Sequence, residues 1–370
     1  MKILHVISSS GMYGAESVIL NLSRWFNAER HRSIVAVFLN QSNSNLELYW
    51  NCRQQAIESH QIPSKGRIDW TAIRRIRELA LSTAADVVHA HGYKADVFVH
   101  LALGRTKLPY VATCHNWLDN DSKSRVYGYV DRRILSEYSR VAAVSGEVER
   151  RLCHSGIDPD RVELIRNGID VRSFLLESHG FKCEHPQQTN LIVGFVGRLS
   201  LEKGPDIFVR AAMEVLRHHE GVEFHLAGDG PEFTTIQDLV DDLGVGEKIR
   251  LLGHVRDMAP LYHSFDIMVA SSRREGLPIA VLEGMASSLP VIASSVGDVP
   301  KIINHGRTGL LVPPDDPLVL AQTILRLLED PPMRSRLGAA ARQFVSEVFS
   351  VDRMAREYLQ LYEKAILESA

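Results

Sequence analysis

Short apolar runs alternate with longer amphipathic stretches along the chain, once between residues 2 and 144 and again between residues 191 and 312. The runs lack the polar alternation of half-solvated strands, which is typical of parallel strands covered by helices on both faces. The predicted strands are Lys2–Ser8, Ser33–Leu39, Asp86–His89, Tyr110–Cys114 and Arg140–Val144, then Leu191–Val196, Val222–Ala227, Ile249–Gly253, Ile267–Ala270, Pro290–Ala293 and Gly309–Val312. Helices such as Gly204–Arg217 and Pro317–Leu328 are predicted between them. The pattern predicts an α/β protein with two doubly wound parallel sheets.

A polar segment at residues 177–190 separates the two sets of runs and has no hydrophobic period, so it is interpreted as an interdomain linker. It leaves an N-terminal domain at residues 1–176 and a C-terminal domain at residues 191–349. Residues 350–370 carry apolar side chains at helical spacing, which predicts a helix that packs back toward the N-terminal domain. Because ligands of such domains bind beyond the carboxyl ends of the strands, we expect two facing domains with the active site in the cleft between them.

Charge and cysteine content narrow the class of protein. Residues 1–185 hold 24 Lys and Arg against 20 Asp and Glu, and residues 186–370 hold 18 against 25, so the halves carry +4 and −7. The mildly basic half either faces an anionic partner or reflects chance surface variation. The four cysteines are widely separated, without a Cys-x-x-Cys pair, which indicates reduced thiols in a cytoplasmic protein. No apolar stretch approaches the roughly 18 residues of a membrane span.

Two carboxylates, Glu275 and Glu283, lie on either side of a predicted helix start, with Pro278 in the expected first turn. The backbone N–H groups of Gly276 and Leu277 precede this helix, where its positive dipole end suits a diphosphate. The plainer alternative is a negatively charged first turn followed by a surface glutamate.

Arg198 and Lys203 follow the strand Leu191–Val196 and are expected to lean over its carboxyl end. Two cations there would bind a diphosphate and stabilise the charge that grows on it when a glycosidic bond breaks, which a divalent metal does in other enzymes. Ordinary solvated cations are the alternative. Together with the glutamate pair, the pattern favours a functional site over a loop of solvated cations.

These stretches, with the turn at residues 228–231, resemble the family 4 retaining glycosyltransferases over nearly the whole chain. The resemblance implies the GT-B fold of two Rossmann-like domains, retention of anomeric configuration, a nucleotide-diphospho-sugar donor and no metal or other cofactor. The loop at residues 9–16 resembles the family's first turn, which closes over the donor and places Gly14 at the donor site. The dinucleotide fingerprint of Rossmann dehydrogenases is absent, because Gly11 and Gly14 have no third glycine after them.

His91 ends a predicted strand and is expected to point toward the cleft, and the resemblance implies that it contacts the donor sugar near the reacting carbon. His89 is interpreted as a packing histidine. His115 and Asn116 follow the strand Tyr110–Cys114, where they either line an acceptor pocket or cap the next turn. The Asp-x-Asp triplets at residues 119–121 and 158–160 match a metal-binding pattern, but are interpreted as loop or cap residues, so no metal site is predicted.

We therefore expect a retaining, metal-independent transferase that moves a hexose-type sugar from a UDP-sugar to a glycan or lipid-linked acceptor in cell-envelope polysaccharide synthesis, with no nucleic-acid partner. Catalytic roles are expected for His91, Glu275, Arg198 and Lys203. A nucleotide-sugar epimerase of the same fold and a non-catalytic nucleotide-sugar-binding protein are the alternatives. Residues 65–77 form either a basic amphipathic helix that contacts an anionic membrane peripherally at its inner face or a solvated helix over a core stripe.

Overall fold

The computed structural model of the protein describes residues 1–9, 11–12, 14–40, 46–66, 68–115, 133–174 and 190–369. The chain divides into two compact units, Met1–Gly168 with Val351–Ala370, and Ile169–Ser350. Of the expected linker at residues 177–190, all but Asn190 lies outside the described residues. The two parallel sheets described below confirm the predicted α/β fold class.

The first unit is built on a seven-stranded parallel sheet in the order β3-β2-β1-β4-β5-β6-β7. Its strands are β1 Lys2–Ile7, β2 Arg32–Asn40, β3 Glu58–Ser64, β4 Val87–His91, β5 Tyr110–Cys114, β6 Arg140–Ala143 and β7 Val162–Leu164. Its first helices are α1 Gly14–Ala28, α2 Glu47–Gln54, α3 Trp70–Ser82, α4 Tyr93–Leu103 and α5 Gly146–His154. The two edge strands, β3 and β7, were not predicted, because a half-solvated edge lacks a continuous apolar run and β3 contains Pro63.

The second unit is built on a six-stranded parallel sheet in the order β10-β9-β8-β11-β12-β13. Its strands are β8 Leu191–Val196, β9 Val222–Ala227, β10 Ile249–Gly253, β11 Ile267–Ala270, β12 Val291–Ser294 and β13 Leu310–Val312. Its helices are α6 Pro205–Leu216, α7 Phe233–Asp242, α8 Met258–His263, α9 Ile279–Ala286, α10 Val299–Ile302, α11 Pro317–Glu329 and α12 Pro331–Val348.

Strand β8 shows why the apolar runs are unbroken. Val193 and Phe195 pack into one core, which includes Phe208 of α6, whereas Ile192 packs into a second core on the opposite face with Met268. Successive side chains of a strand point to opposite faces, so a strand covered on both sides needs apolar residues at every position.

The boundary between the units lies at residue 168 rather than at the expected residue 176. The backbone N–H of Ile169 donates to the carbonyl of Phe349 at 2.9 Å, and Phe174 packs edge-on against Tyr262 with ring centroids 5.8 Å apart. Residues 169–174 are thereby fastened to the second unit before the chain reaches β8.

The C-terminal helix, α13 Val351–Ser369, belongs to the first unit and packs on α1, β4 and β5. Its Tyr358 and Tyr362 are fully buried. The hydroxyl of Tyr362 lies 2.7 Å from Nδ1 of His89 on β4, and the hydroxyl of Tyr358 lies 2.9 Å from Oγ1 of Thr113 on β5. Because buried polar groups need partners, these two bonds fix how the helix sits on the sheet.

Candidate functional site

The order of the second sheet brings two loops together at its carboxyl edge. The chain builds outward from β8 to β9 and β10, then returns to the other side of β8 with β11. Adjacent connections that leave in opposite directions open a crevice at such a switch point, and ligands of doubly wound sheets bind there. Residues 197–204 follow β8 and residues 271–278 follow β11, so both predicted groups of charged residues lie at this crevice.

An ion pair joins the two loops. Lys203 Nζ donates to Oε1 of Glu275 at 2.5 Å, and the hydroxyl of Ser272 donates to the same oxygen at 2.7 Å. The side chain of Glu275 is only 8% exposed, and that of Lys203 is 31% exposed. Within the described part of the chain, Oε2 of Glu275 accepts no hydrogen bond and remains able to accept one from a ligand hydroxyl.

Two glycines let neighbouring loops approach the loop that carries Glu275. Gly204 has φ +63°, and a Cβ atom there would lie 2.2 Å from the carbonyl oxygen of Ser271. Gly297 has φ +54°, and its Cβ would lie 1.8 Å from the carbonyl oxygen of Glu275 itself. No side chain fits at either place, so backbone packs directly against backbone around Glu275.

Glu283 is the fifth residue of α9 and is half-buried. The hydroxyl of the buried Tyr262 donates to its Oε2 at 2.9 Å, and no described residue donates to Oε1. Burial raises the pKa of Glu283 to about 7, although the Tyr262 hydrogen bond acts in the opposite direction. This carboxyl group therefore changes its charge near neutral pH.

The approach to α9 differs from prediction by one residue. Pro278 is extended, with φ −74° and ψ 113°, and stands just before the first helical residue, Ile279. The N–H groups of Gly276 and Leu277 donate to no described residue, so both are available to an anion at this end of the helix.

Arg198 is exposed at the start of the loop that carries Lys203. The pKa of Glu202 is lowered first by a hydrogen bond with Ser200 and further by the charges of Arg198 and Arg274. Arg198 therefore contributes positive charge to the rim of the crevice, whereas Lys203 lies deeper.

A row of histidines occupies the switch point of the first sheet, between β1 and β4. His91 is 3% exposed, with His5 Nδ1 at 3.1 Å from its Nε2 and His115 Nε2 at 3.3 Å from its Nδ1. Burial lowers the pKa of His5 to about 3 and that of His115 to about 4, so the row is neutral. His91 is thus enclosed rather than open to a ligand, and its contact with a donor sugar stays a prediction.

His89 belongs to the buried polar network expected of a packing histidine, because its Nε2 lies 2.7 Å from Thr113 Oγ1 and its Nδ1 contacts Tyr362. His5, His89 and His91 have ligand-capable atoms within 4.8 Å of one another. Both nitrogens of His89 are already hydrogen-bonded, so a metal bound through either of them would break a buried bond. We assign no metal to this group.

The remaining candidates are placed as follows. Gly14 is the first residue of α1. Asn116 and the triplet at residues 119–121 lie outside the described residues. In the triplet at residues 158–160, the Asp158 carboxylate accepts the backbone N–H of Asp160 at 3.0 Å, which confirms a cap. Tyr262, Ser272 and His5 were not predicted, because their roles depend on packing and strand register rather than on a local pattern.

Helix α3 has the core stripe that one of the two interpretations of residues 65–77 expects. Ile73 and Ile76 are buried in the core, so the apolar stripe of the helix faces inward. What remains outside is Trp70, 72% exposed, with Ile68, 58% exposed, beside exposed arginines at 74, 75 and 77. None of the helices in the described ranges has the length and apolar content needed to cross a bilayer.

Comparisons with known proteins agree with this architecture. A model described as Glycosyltransferase Family 4 matches residues 12–173, and one described as Glycosyl transferases group 1 matches residues 190–330. An uncharacterized glycosyltransferase of Methanocaldococcus jannaschii is 31% identical over 76% of each chain. Alpha-maltose-1-phosphate synthase of Mycolicibacterium smegmatis is 30% identical over 76% of this chain and 79% of its own. The crystal structure of Anabaena HepE in complex with UDP-glucose superposes with a TM-score of 0.82 at 22% identity, covering 100% of both chains.

Glu283 is expected to make the stability of the protein depend on pH. Its folded-state pKa of about 7 lies above the ordinary value of 4.5, so between these values the folded state holds a proton that the unfolded state releases. Stability should therefore fall as the pH rises through this window, and Glu283→Gln should flatten the fall. The measurement is the urea midpoint of unfolding at several pH values across the window.

Glu247→Gln, which removes an exposed carboxylate from the same unit, is the matched control. It should leave the wild-type pH profile unchanged. Parallel profiles for the wild type and Glu283→Gln would show that the carboxyl group titrates at an ordinary pKa.

Proposed function

Because this chain belongs to glycosyltransferase family 4 and has the GT-B fold, we propose that it transfers a hexose-type sugar from a UDP-sugar to a glycan or lipid-linked acceptor. The observation that carries the proposal is the Lys203–Glu275 pair at the switch point, beside the N–H groups of Gly276 and Leu277, which donate to no described residue. A nucleotide-diphospho-sugar has a diphosphate, which suits the cation and the N–H groups, and a sugar ring whose hydroxyls suit the carboxylate. The UDP-glucose complex of HepE supports this donor class for the fold. Family membership favours transfer over epimerisation or binding alone.

The donor is proposed to bind along the carboxyl edge of the second sheet. Its diphosphate would lie on Lys203, Arg198 and the N–H groups of Gly276 and Leu277, since cations and helix N-termini both favour phosphate. Oε1 of Glu283, in the ionised form, would accept hydrogen bonds from the ribose hydroxyls. Oε2 of Glu275 would accept one from the sugar ring.

No metal is needed in this scheme. When the bond between the sugar C1 and the phosphate oxygen breaks, its electron pair goes to the diphosphate, and fixed cations stabilise the added negative charge. Lys203 would carry most of this task, because it is only 31% exposed and its interaction with an anion is less screened than that of Arg198. We propose that the reaction needs no metal ion, which measurements with EDTA test.

We further propose that configuration is retained by reaction on one face of the sugar. The acceptor oxygen forms its bond to C1 on the face that the diphosphate leaves, and its proton passes to the departing phosphate oxygen. Glu275 is poorly suited to act as a nucleophile instead, because Lys203 and Ser272 already bond one of its oxygens. Its carboxylate is better suited to orienting the ring.

The acceptor is proposed to be a lipid-linked sugar used in cell-envelope polysaccharide synthesis. Support comes from Ile68 and Trp70, which are exposed at the start of α3 beside exposed arginines, a combination that suits an anionic bilayer surface. Peripheral contact with the inner face of the membrane would bring the protein to such an acceptor.

UDP should stabilise the protein more than GDP or ADP, and EDTA should not change the effect. UDP at about a hundred times its dissociation constant should add roughly 2.7 kcal/mol to the stability. Glu283→Ala should weaken this stabilisation, whereas Glu247→Ala should not. Thermal shift measures all of these. Equal shifts for the three nucleotides would contradict the uridine donor, and loss of the shift in EDTA would contradict metal independence.

Glu275→Gln should retain measurable transfer, because its role is to orient the sugar. Loss of a covalent nucleophile typically lowers turnover by roughly 10⁴-fold or more, and the expected loss here is well below that. The measurements are kcat with a panel of UDP-sugars, the anomeric configuration of the product by NMR, and mass spectrometry of the quenched enzyme. A glycosyl adduct on Glu275 would contradict the same-face route.

Vesicles that contain anionic lipid should bind the wild-type protein more strongly than the double variant Ile68→Ser, Trp70→Ser. The apolar pair inserts at the interface while the arginines attract the headgroups, so binding should also weaken with salt. Leu81→Ser, at the other end of α3 and similarly exposed at 62%, is the matched control. Equal co-sedimentation of the double variant and the control would contradict membrane contact at this place.

A further inference from the structure

Arg273 lies next to the ion pair of the donor site but points to other partners. Its Nη1 and Nη2 donate to the two carboxylate oxygens of Asp206 at 2.8 and 2.7 Å. Nη1 also donates to the carbonyl of Leu201 at 2.9 Å, and Nε donates to Asp315 at 2.6 Å. Four hydrogen bonds from one guanidinium therefore join three stretches of chain, those that follow β8, β11 and β13.

The backbone around Arg273 makes the same connection. The N–H groups of Arg273 and Arg274 donate to the carbonyl of Glu202 at 2.7 and 3.2 Å, and the hydroxyl of Ser271 donates to the carbonyl of Gly204 at 2.8 Å. Residues 271–274 are thus fastened along the whole of the turn at residues 201–204. That turn contains Lys203, and the fastened segment leads directly into Glu275.

Asp206 is the stronger of the two carboxylate partners. It is bound in bidentate fashion and is 32% exposed, whereas Asp315 makes one bond and is 59% exposed. Burial alone would raise the pKa of Asp206, but the hydrogen bonds and charge of Arg273 outweigh burial and leave the pKa lowered. Bidentate pairs fix geometry as well as energy, so Asp206 sets where the guanidinium lies.

We infer that Arg273 is a positioning residue of the donor site, which holds the Glu275 loop against the Lys203 loop in the spacing that the donor requires. Arg273 acts through the two loops, and the inference rests on the proposed function for what that spacing is used for. The charged groups of the proposed site must be held in fixed positions to stabilise the charge that develops on the diphosphate. A displacement of about 1 Å can cost on the order of 100-fold in rate.

The geometry of the guanidinium, not only its charge, is required. Lysine keeps the charge but has no planar fork, so it cannot bond both oxygens of Asp206 and also reach Leu201 and Asp315. Arg273→Lys should therefore behave like Arg273→Gln. A residue that held the diphosphate directly through its charge would instead be largely restored by lysine.

The experiment compares Arg273→Gln and Arg273→Lys with Arg217→Gln, which removes an exposed, ion-paired arginine from the same unit. Both variants at 273 should lower kcat/KM for the donor by about 10-fold to 100-fold, mostly through kcat, and the control should be unchanged. Adding Arg273→Gln to Lys203→Ala should cause little further loss, because Arg273 acts by holding Glu275 against Lys203, a contact that Lys203→Ala already removes. Independent, multiplying losses, or near-normal activity of Arg273→Lys, would overturn the inference.

Amide hydrogen exchange provides a second readout that needs no activity. Exchange over residues 197–206 and 271–278 should quicken in both variants at 273 and stay unchanged in Arg217→Gln. If the wild type transfers no sugar from any donor, the proposed function fails. Hydrogen exchange alone then tests whether Arg273 holds the two loops together. Unchanged exchange in both loops would overturn the positioning role of Arg273, whether or not transfer is observed.

Discussion

The hydrogen-bonded contact between Lys203 and Glu275 depends on the order of the strands and in turn holds the site together. A carboxylate that is only 8% exposed needs a partner in the low-dielectric interior, and the ammonium group of Lys203 is that partner. The pair can form only because β11 returns beside β8. In the proposed donor complex, the diphosphate would share this cation with Glu275.

Burial shifts the pKa values of two ionisable groups, one in each unit, in opposite directions. It raises the pKa of the Glu283 carboxyl to about 7, and it lowers the pKa of His5 to about 3. Both shifts favour the neutral form, as burial in a low-dielectric interior always does. The consequence differs, however. Glu283 keeps a charge change near neutral pH, whereas the histidine row is uncharged throughout that range and offers only hydrogen bonds.

The sequence predicts the parts of this protein that follow from local patterns. Strands β8 and β11 have the predicted bounds because both faces are covered, whereas the edge strands β3 and β7 escaped detection. Glu275 and Lys203 were found because they follow strand ends. Tyr262 was not, since its bond to Glu283 joins two helices that no short motif connects. His5 meets His91 only through the register of β1 and β4, which a linear sequence does not display.

The discontinuous first unit has a consequence for synthesis. Its helix α13 leaves the ribosome only after the whole of residues 169–350, which form a continuous stretch and can fold as they emerge. Until α13 docks, His89 and Thr113 lack the tyrosine hydroxyls that satisfy them, and the surface of β4 and β5 that α13 covers stays open. The first sheet therefore stays incompletely covered until α13 has been synthesised, whereas residues 169–350 can already fold.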